Sequence, residues 1–326
     1  MTDEATRAAV EATDYPVLQR IIDGHCAARD WEALDALRVL CRHAVERGKQ
    51  LWAVEEHIRY RLALEAPGPI AGSVVAEGPA RFTLGPLPEV AASTHRWDEL
   101  EASLPPGPWR STVAHERAVR GEDLSRLEIE AEIYEMPLRL QSWEPAYCLA
   151  EYKADRIEQQ GPDPVALRPV ATDRGAREAD EPESVEALRL LTAFWVEQSS
   201  GRSEARAVEG DVLAAIGALG PSHASLAAIT PTAAMRWMAW AASVGGVYGR
   251  RRGAAAGRFG AWWAAAHLAA LDWPPHPDDL GEAIDELGWF VWSDGSSGGW
   301  AFNLAVEDAE NGVAWATSAT DVEPEG

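Results

Sequence analysis

A chain of 326 residues with 47% apolar residues and fifteen tryptophans is long enough to bury a sizeable core and is not a disordered polymer. Its net charge of −23 repels phosphate backbones and excludes nucleic acid as a general ligand, so cations or a basic protein are the partners that charge favours. Charges interrupt every long apolar run, the N-terminus is acidic where a leader would be basic and then apolar, and three cysteines without a CxxC pair fit reduced thiols; a cytoplasmic protein with no membrane span is expected.

Residues 16–65 read as helices. Leu18, Ile21 and Ile22 begin one apolar face, and Trp31, Leu34, Leu37, Cys41 and Val45 form a second at helical spacing. Gly48 stops that helix, and Leu51, Val54, Ile58 and Leu62 mark the next, so the two make a helical hairpin. The Gly- and Pro-rich stretch 66–88 predicts a loop or a small irregular hairpin. Helices resume over 88–104 and 108–120, on either side of Pro105-Pro106-Gly107. Leu127 to Ile133 alternates apolar and acidic residues, which predicts a strand, and Trp143-Glu144-Pro145 predicts the opening of a helix that runs to Gln159.

Residues 161–183 are rich in Pro, Gly and charge and predict a linker between a helical domain over 1–160 and an α+β domain over 184–326. Ser184 caps a helix whose face is Val185, Leu188, Leu191 and Trp195; a second helix presents Val208, Val212, Ile216 and Leu219 and ends at Gly220-Pro221. Small residues then recur every four positions, at Ala241, Gly245, Gly249, Gly253, Gly257, Ala261, Ala265 and Ala269. They predict two helices, over 231–244 and 247–271, broken at Gly245-Gly246 and able to receive another element closely. After a short acidic helix over 278–287 the period changes to two. Segments 289–292, 300–306 and 313–319 predict a three-stranded antiparallel meander, with a bulky face (Trp300, Phe302, Leu304, Val306, Val313, Trp315) and a small face (Ala301, Ala305, Ala314, Ala316) expected to pack on the Gly/Ala stripe. The expected fold class is α+β and predominantly helical.

Charge is unevenly placed in this half. Between Val212 and Leu271 there is no Asp or Glu, while Arg236, Arg250, Arg251, Arg252 and Arg258 carry five positive charges. No Lys or Arg follows Arg258, and thirteen acids lie between Asp272 and Glu325. The plainer reading pairs these arginines with the acidic tail. The sharper one makes Arg250, Arg251, Arg252 and Arg258, beside glycine amides, an anion site completed by Trp262, Trp289 and Trp292. Neither GxxxxGK[ST] nor GxGxxG occurs, so no nucleotide cofactor is expected. His25, Cys26, Cys41, His43 and His57 are metal-ligand types without metal-ligand spacing, and His115-Glu116 lacks the second His of a zincin; no metal site is expected. Gly295-Ser296-Ser297-Gly298-Gly299 fits GxSxG, but it sits in a turn between two predicted strands, not between a strand and a helix, so no catalytic residue is assigned.

The segments PLRLQSWEPAYCLAEY (137–152), GRRRGAAAGRFGAWWA (249–264) and GWAFNLAVEDAENGVAWATSATD (299–321) resemble phrases of an uncharacterised family of similar length in high-GC actinobacteria. The resemblance covers most of the chain, implies a cytoplasmic bacterial protein and brings no activity. Charge, with no catalytic motif beside it, predicts a non-enzymatic acidic binding protein that recognises a basic protein partner, of inhibitor, immunity or adaptor type. The alternative is an enzyme or sensor that binds a small anionic or aromatic ligand between the arginine cluster and the tryptophan-rich meander.

Overall fold

The computed structural model describes residues 4–129, 133–172, 174–295 and 299–322. The chain divides into two units, Met1–Ile133 with Ala150–Glu158 and Tyr134–Leu149 with Gln159–Gly326. It therefore passes from one unit to the other three times, at 133/134, 149/150 and 158/159, where the sequence suggested a single crossing through a linker.

The first unit is helical: α1 (Glu4–Ala12), α2 (Tyr15–Ala28), α3 (Trp31–Glu46), α4 (Trp52–Glu65), α5 (Gly68–Ala76), α6 (Leu87–Thr94), α7 (Trp97–Leu100) and α8 (Pro108–Val119). Asp14 and Asp30 cap α2 and α3 by accepting the N–H groups of Val17 and Ala33, at 3.2 and 3.1 Å. α3 packs on α4 around Leu34, Leu37, Cys41, Ile58 and Leu62, all buried. Three expectations for residues before 160 fail. The stretch 66–88 holds a helix, α5, because Pro67 and Pro69 stand at its start, where a missing N–H costs nothing. Its glycines serve packing, not turning: a Cβ on Gly72 would lie 2.8 Å from Ser103 Oγ and 3.0 Å from the Leu100 carbonyl oxygen. The helix expected over 143–159 is replaced by a two-stranded ribbon, β1 (Ala150–Tyr152) and β2 (Ile157–Gln159), whose first strand alternates buried, exposed and buried. Leu127, Glu128 and Ile129 form no strand, and residues 130–132 of that expectation lie outside the described residues.

The second unit is built on one sheet of seven strands, not on a three-stranded meander. These are β3 (Arg168–Ala171), β4 (Arg177–Glu178), β5 (Arg202–Glu209), β6 (His223–Ile229), β7 (Gly288–Ser293), β8 (Trp300–Asp308) and β9 (Val313–Asp321), in the order β3-β6-β7-β8-β9-β5-β4 with every neighbouring pair antiparallel. Both edges of the sheet come from the stretch read as a linker. An edge strand pairs on one side only, tolerates proline such as Pro169 and need not be apolar, so it carries the composition of a linker. β5 also takes Val208, which spacing had placed on a helix.

Six helices cover this sheet: α9 (Pro182–Leu190), α10 (Ala193–Gln198), α11 (Val212–Ala218), α12 (Pro231–Ser243), α13 (Ala254–Leu268) and α14 (Pro277–Glu286). One face presents Trp289, Leu304, Val306 and Trp315, paired across neighbouring strands. On this face Trp300 stacks on Trp240 of α12 at 5.5 Å and 11°, and Trp289 donates to the Ile284 carbonyl of α14 at 2.8 Å. The small alanines Ala305, Ala314 and Ala316 lie on the other face and receive α11, whose Val212, Ala215 and Ile216 join Trp292 in one cluster. The Gly/Ala stripe does not take that place. It joins α12 to α13, where a Cβ on Gly257 would lie 2.8 Å from Ser243 Cβ. Gly245 and Gly249 belong to the loop between those helices, their backbones in contact, so the break extends over 244–253 and α13 starts later than expected. No helix among the described residues is long and apolar enough to cross a membrane.

Candidate functional site

Arg258 sits on the first turns of α13, one residue beyond Gly257, and is completely buried. It pairs with Glu144, 114 positions upstream, and not with the acidic tail. Arg258 Nε and Nη2 donate to the two carboxylate oxygens at 2.7 Å each, and its remaining N–H groups reach the carbonyls of Pro137 at 2.7 Å and Arg139 at 2.9 Å. Glu144 also accepts from Tyr147 Oη at 2.6 Å, Trp262 Nε1 at 3.0 Å and the Gln141 N–H at 2.9 Å. Burial by itself would raise the Glu144 carboxyl, but the Arg258 guanidinium holds it below its ordinary value. The Tyr147 hydroxyl is pushed well up by burial and by the neighbouring carboxylate. Every partner in this knot is engaged, which makes it a pin fastening residues 137–147 to α13.

The other residues of the expected anion site are dispersed. Trp262 belongs to the knot, with the Arg258 guanidinium carbon 5.2 Å from its ring. Arg251 is buried against Ser243 Oγ at 3.3 Å. Arg252 is half-buried, its guanidinium 4.4 Å above the Phe194 ring, and burial lowers its pKa. Arg250 is exposed. Trp289 and Trp292, three residues apart on β7, point to opposite faces of the sheet.

In the first unit burial pushes the Cys26 thiol up to about 11 and the Cys41 thiol up to about 12, as expected of packing residues. No group of three His, Cys, Asp or Glu side chains among the described residues is placed to hold a metal ion. Sequence reading missed the buried polar network of α6, α8 and β1, in which Tyr152 donates to Glu89 at 2.6 Å and Arg120 bridges Glu116 and Glu89. Ser296, Ser297 and Gly298 of the GxSxG match lie outside the described residues.

A different constellation emerges at one end of the sheet in the second unit. The last residues of α13 (His267, Leu268, Ala269, Ala270), the end of α14 (Ala283, Glu286, Leu287), Glu181 before α9, and the β8–β9 turn and its flanks (Asp308, Glu310, Asn311, Val313, Trp315) enclose a cleft of about 250 Å³. Four of its side chains are carboxylates, and no Lys or Arg is among its lining residues. Two helices end in its wall, and a helix carboxyl end carries partial negative charge of the same sign as the acids. Burial would raise the Asp308 carboxyl, but the Asn311 side chain, at 2.7 Å, and the Asn311 N–H, at 2.9 Å, hold it below its ordinary value. The floor is apolar, from Leu268, Leu287 and Trp315. Trp315 is buried, and its indole N–H meets no acceptor among the described residues. The arrangement attracts a cation. The absence of basic residues after Arg258 is the sequence signal for this cleft; the contributions of Glu181 and the end of α13 are visible only in the fold.

A family model described as Family of unknown function (DUF6183) matches residues 17–322, and the chain belongs to that family. No curated protein and no solved structure matches it.

Proposed function

We propose that this member of a family without an assigned activity is a non-enzymatic binding protein for a basic protein partner, of inhibitor, immunity or adaptor type, and that the cleft of Glu181, Glu286, Asp308 and Glu310 is where the partner's cationic side chain enters. The observation that carries the reading is the convergence of four carboxylates and two helix carboxyl ends on one apolar-floored cleft without a basic residue in its lining. The spread of the acids favours an organic cation over a metal ion.

The test is binding of a short lysine- or arginine-containing peptide, followed by tryptophan fluorescence at 20 and 300 mM salt. Affinity should fall steeply with salt, and Glu286→Gln with Asp308→Asn should weaken binding by about tenfold or more. The control pair Glu32→Gln with Glu46→Gln, two exposed acids on α3, removes the same charge and should have little effect. Equal losses from both pairs would mean that the whole acidic surface, and not the cleft, attracts the peptide.

A further inference from the structure

α13 has a second face. Phe259, Trp263 and His267 follow one another at intervals of four residues, so they stand in a row along the helix, away from the side that buries Ala261, Ala265 and Leu268. Trp273 and Tyr134 extend the row. Ring centroids are 5.2 Å apart for Tyr134 and Phe259, 5.3 Å for Phe259 and Trp273, 5.1 Å for Trp263 and Trp273, and 4.5 Å for Trp263 and His267. All five side chains are half-buried, so each keeps part of its ring surface in contact with water. The rings lean on one another too closely to admit a ligand between them; together they form a ridge whose outer surface is π-face and edge. The ridge runs into the acidic cleft, because His267 belongs to both. Exposed Asp272 precedes Trp273, exposed Asp278 and Asp279 follow it, and no Lys or Arg comes after them in the chain.

We infer that the partner's contact segment is recognised through arginine and not through lysine, with one guanidinium in the carboxylate cleft and a neighbouring guanidinium laid on the Trp263–Trp273 ridge; this rests on the cleft being the cation site. A guanidinium is planar and weakly hydrated and stacks on an indole face while its N–H groups still reach a carboxylate, whereas an ammonium is a compact, strongly hydrated charge that gains less from an aromatic surface. The net charge of the chain attracts both ions equally, so discrimination between them comes from contact geometry, and the ridge is the part of it that a tryptophan substitution removes.

Hexaarginine and hexalysine carry equal charge and separate the two contributions. At 150 mM salt hexaarginine should bind about threefold or more tightly than hexalysine. Trp263→Leu, which keeps apolar bulk and removes the indole, should lower the ratio towards one by weakening hexaarginine binding several times more than hexalysine binding. Glu286→Gln with Asp308→Asn should weaken both peptides alike. Equal affinities in the unaltered protein, or a preference that survives both Trp263→Leu and Trp263→Ala, would overturn the arginine inference and leave the cleft standing as a cation site. If neither peptide binds, the proposed function fails and takes the inference with it. Near-ultraviolet circular dichroism of each variant identifies any that fails to fold, in which case Trp273→Leu reads out the same ridge.

Discussion

Arg258 and Glu144 show what a charge pair does when water cannot reach it. Each side chain is fully desolvated, and all three Arg258 nitrogens and both Glu144 oxygens have hydrogen-bond partners, so removing one residue leaves the other without compensation. Arg258→Met should therefore lower the stability of the second unit by about 3–5 kcal/mol in chemical denaturation, far more than an exposed pair such as Arg96–Asp98 is worth. The pH dependence has a definite sign. Glu144 is held below its ordinary value of 4.5, so its contribution is present above that value and is lost as pH falls through the lower folded value. Unfolding monitored from pH 6 down to 3 should show a shallower acid loss in Glu144→Gln than in the unaltered chain. The thiols give an independent check. With Cys26 and Cys41 buried and pushed up to about 11 and 12, neither should react with iodoacetamide in the native protein at pH 8, and both should react after unfolding, as read by mass spectrometry. Little at this scale was legible beforehand. Arg258 stands near a run of arginines that look alike in sequence, and only the tertiary contacts with Pro137, Arg139 and Glu144 distinguish it from exposed Arg250.

The helical elements that sequence located best are those with a cap and a stop of their own. Thr230 accepts the Ala233 N–H at 3.1 Å and opens α12 at Pro231, where the helix over 231–244 is expected to begin. The four-residue stripe told of a close approach but not of its partner, because a groove of small residues fits a helix as well as a sheet, and the neighbouring helix reached it first. The glycines in that groove make opposite predictions from glycines elsewhere. Gly24 in α2 has open space around its Cβ position, so Gly24→Ala should stabilise by roughly 0.5–1 kcal/mol through helix propensity. Gly257→Ala should destabilise by about 1–3 kcal/mol, since its Cβ would strike the Ala239 carbonyl oxygen and lie 2.8 Å from Ser243 Cβ. Thermal melts of the two variants should move in opposite directions. Edge strands β3 and β4 were illegible for a physical reason: they are short and polar, and their pairing partners are supplied by residues elsewhere in the chain.

For the molecule as a whole, a net charge of −23 pulls in two directions. Self-repulsion among the acids works against compactness, and the same field draws a basic partner in. Raising salt from 20 to 150 mM should therefore raise the melting temperature while it weakens binding of the basic peptide, two opposite responses to one screening length. If melting temperature and affinity moved together, the charge would not be acting in this way. The α+β class was readable from the switch in hydrophobic period late in the chain, and the acidic character from composition alone. The size of the sheet and the interleaving of the two units were not, because both depend on pairings between distant residues.

One such pairing has a consequence for how the protein is made. β5 (Arg202–Glu209) lies between β4 and β9, and its long-range partner β9 is more than a hundred residues further along the chain. A ribosome adding about 5–20 residues per second keeps that side of β5 waiting for roughly 5–20 s. Throughout that interval the nascent chain presents an unsatisfied row of backbone N–H and carbonyl groups, with Ala205, Ala207 and Val208 beside them, to every other chain in the cell. Assembly of this sheet is thus a late event in biosynthesis, and shielding by a chaperone during translation should decide how much of the protein reaches its native state.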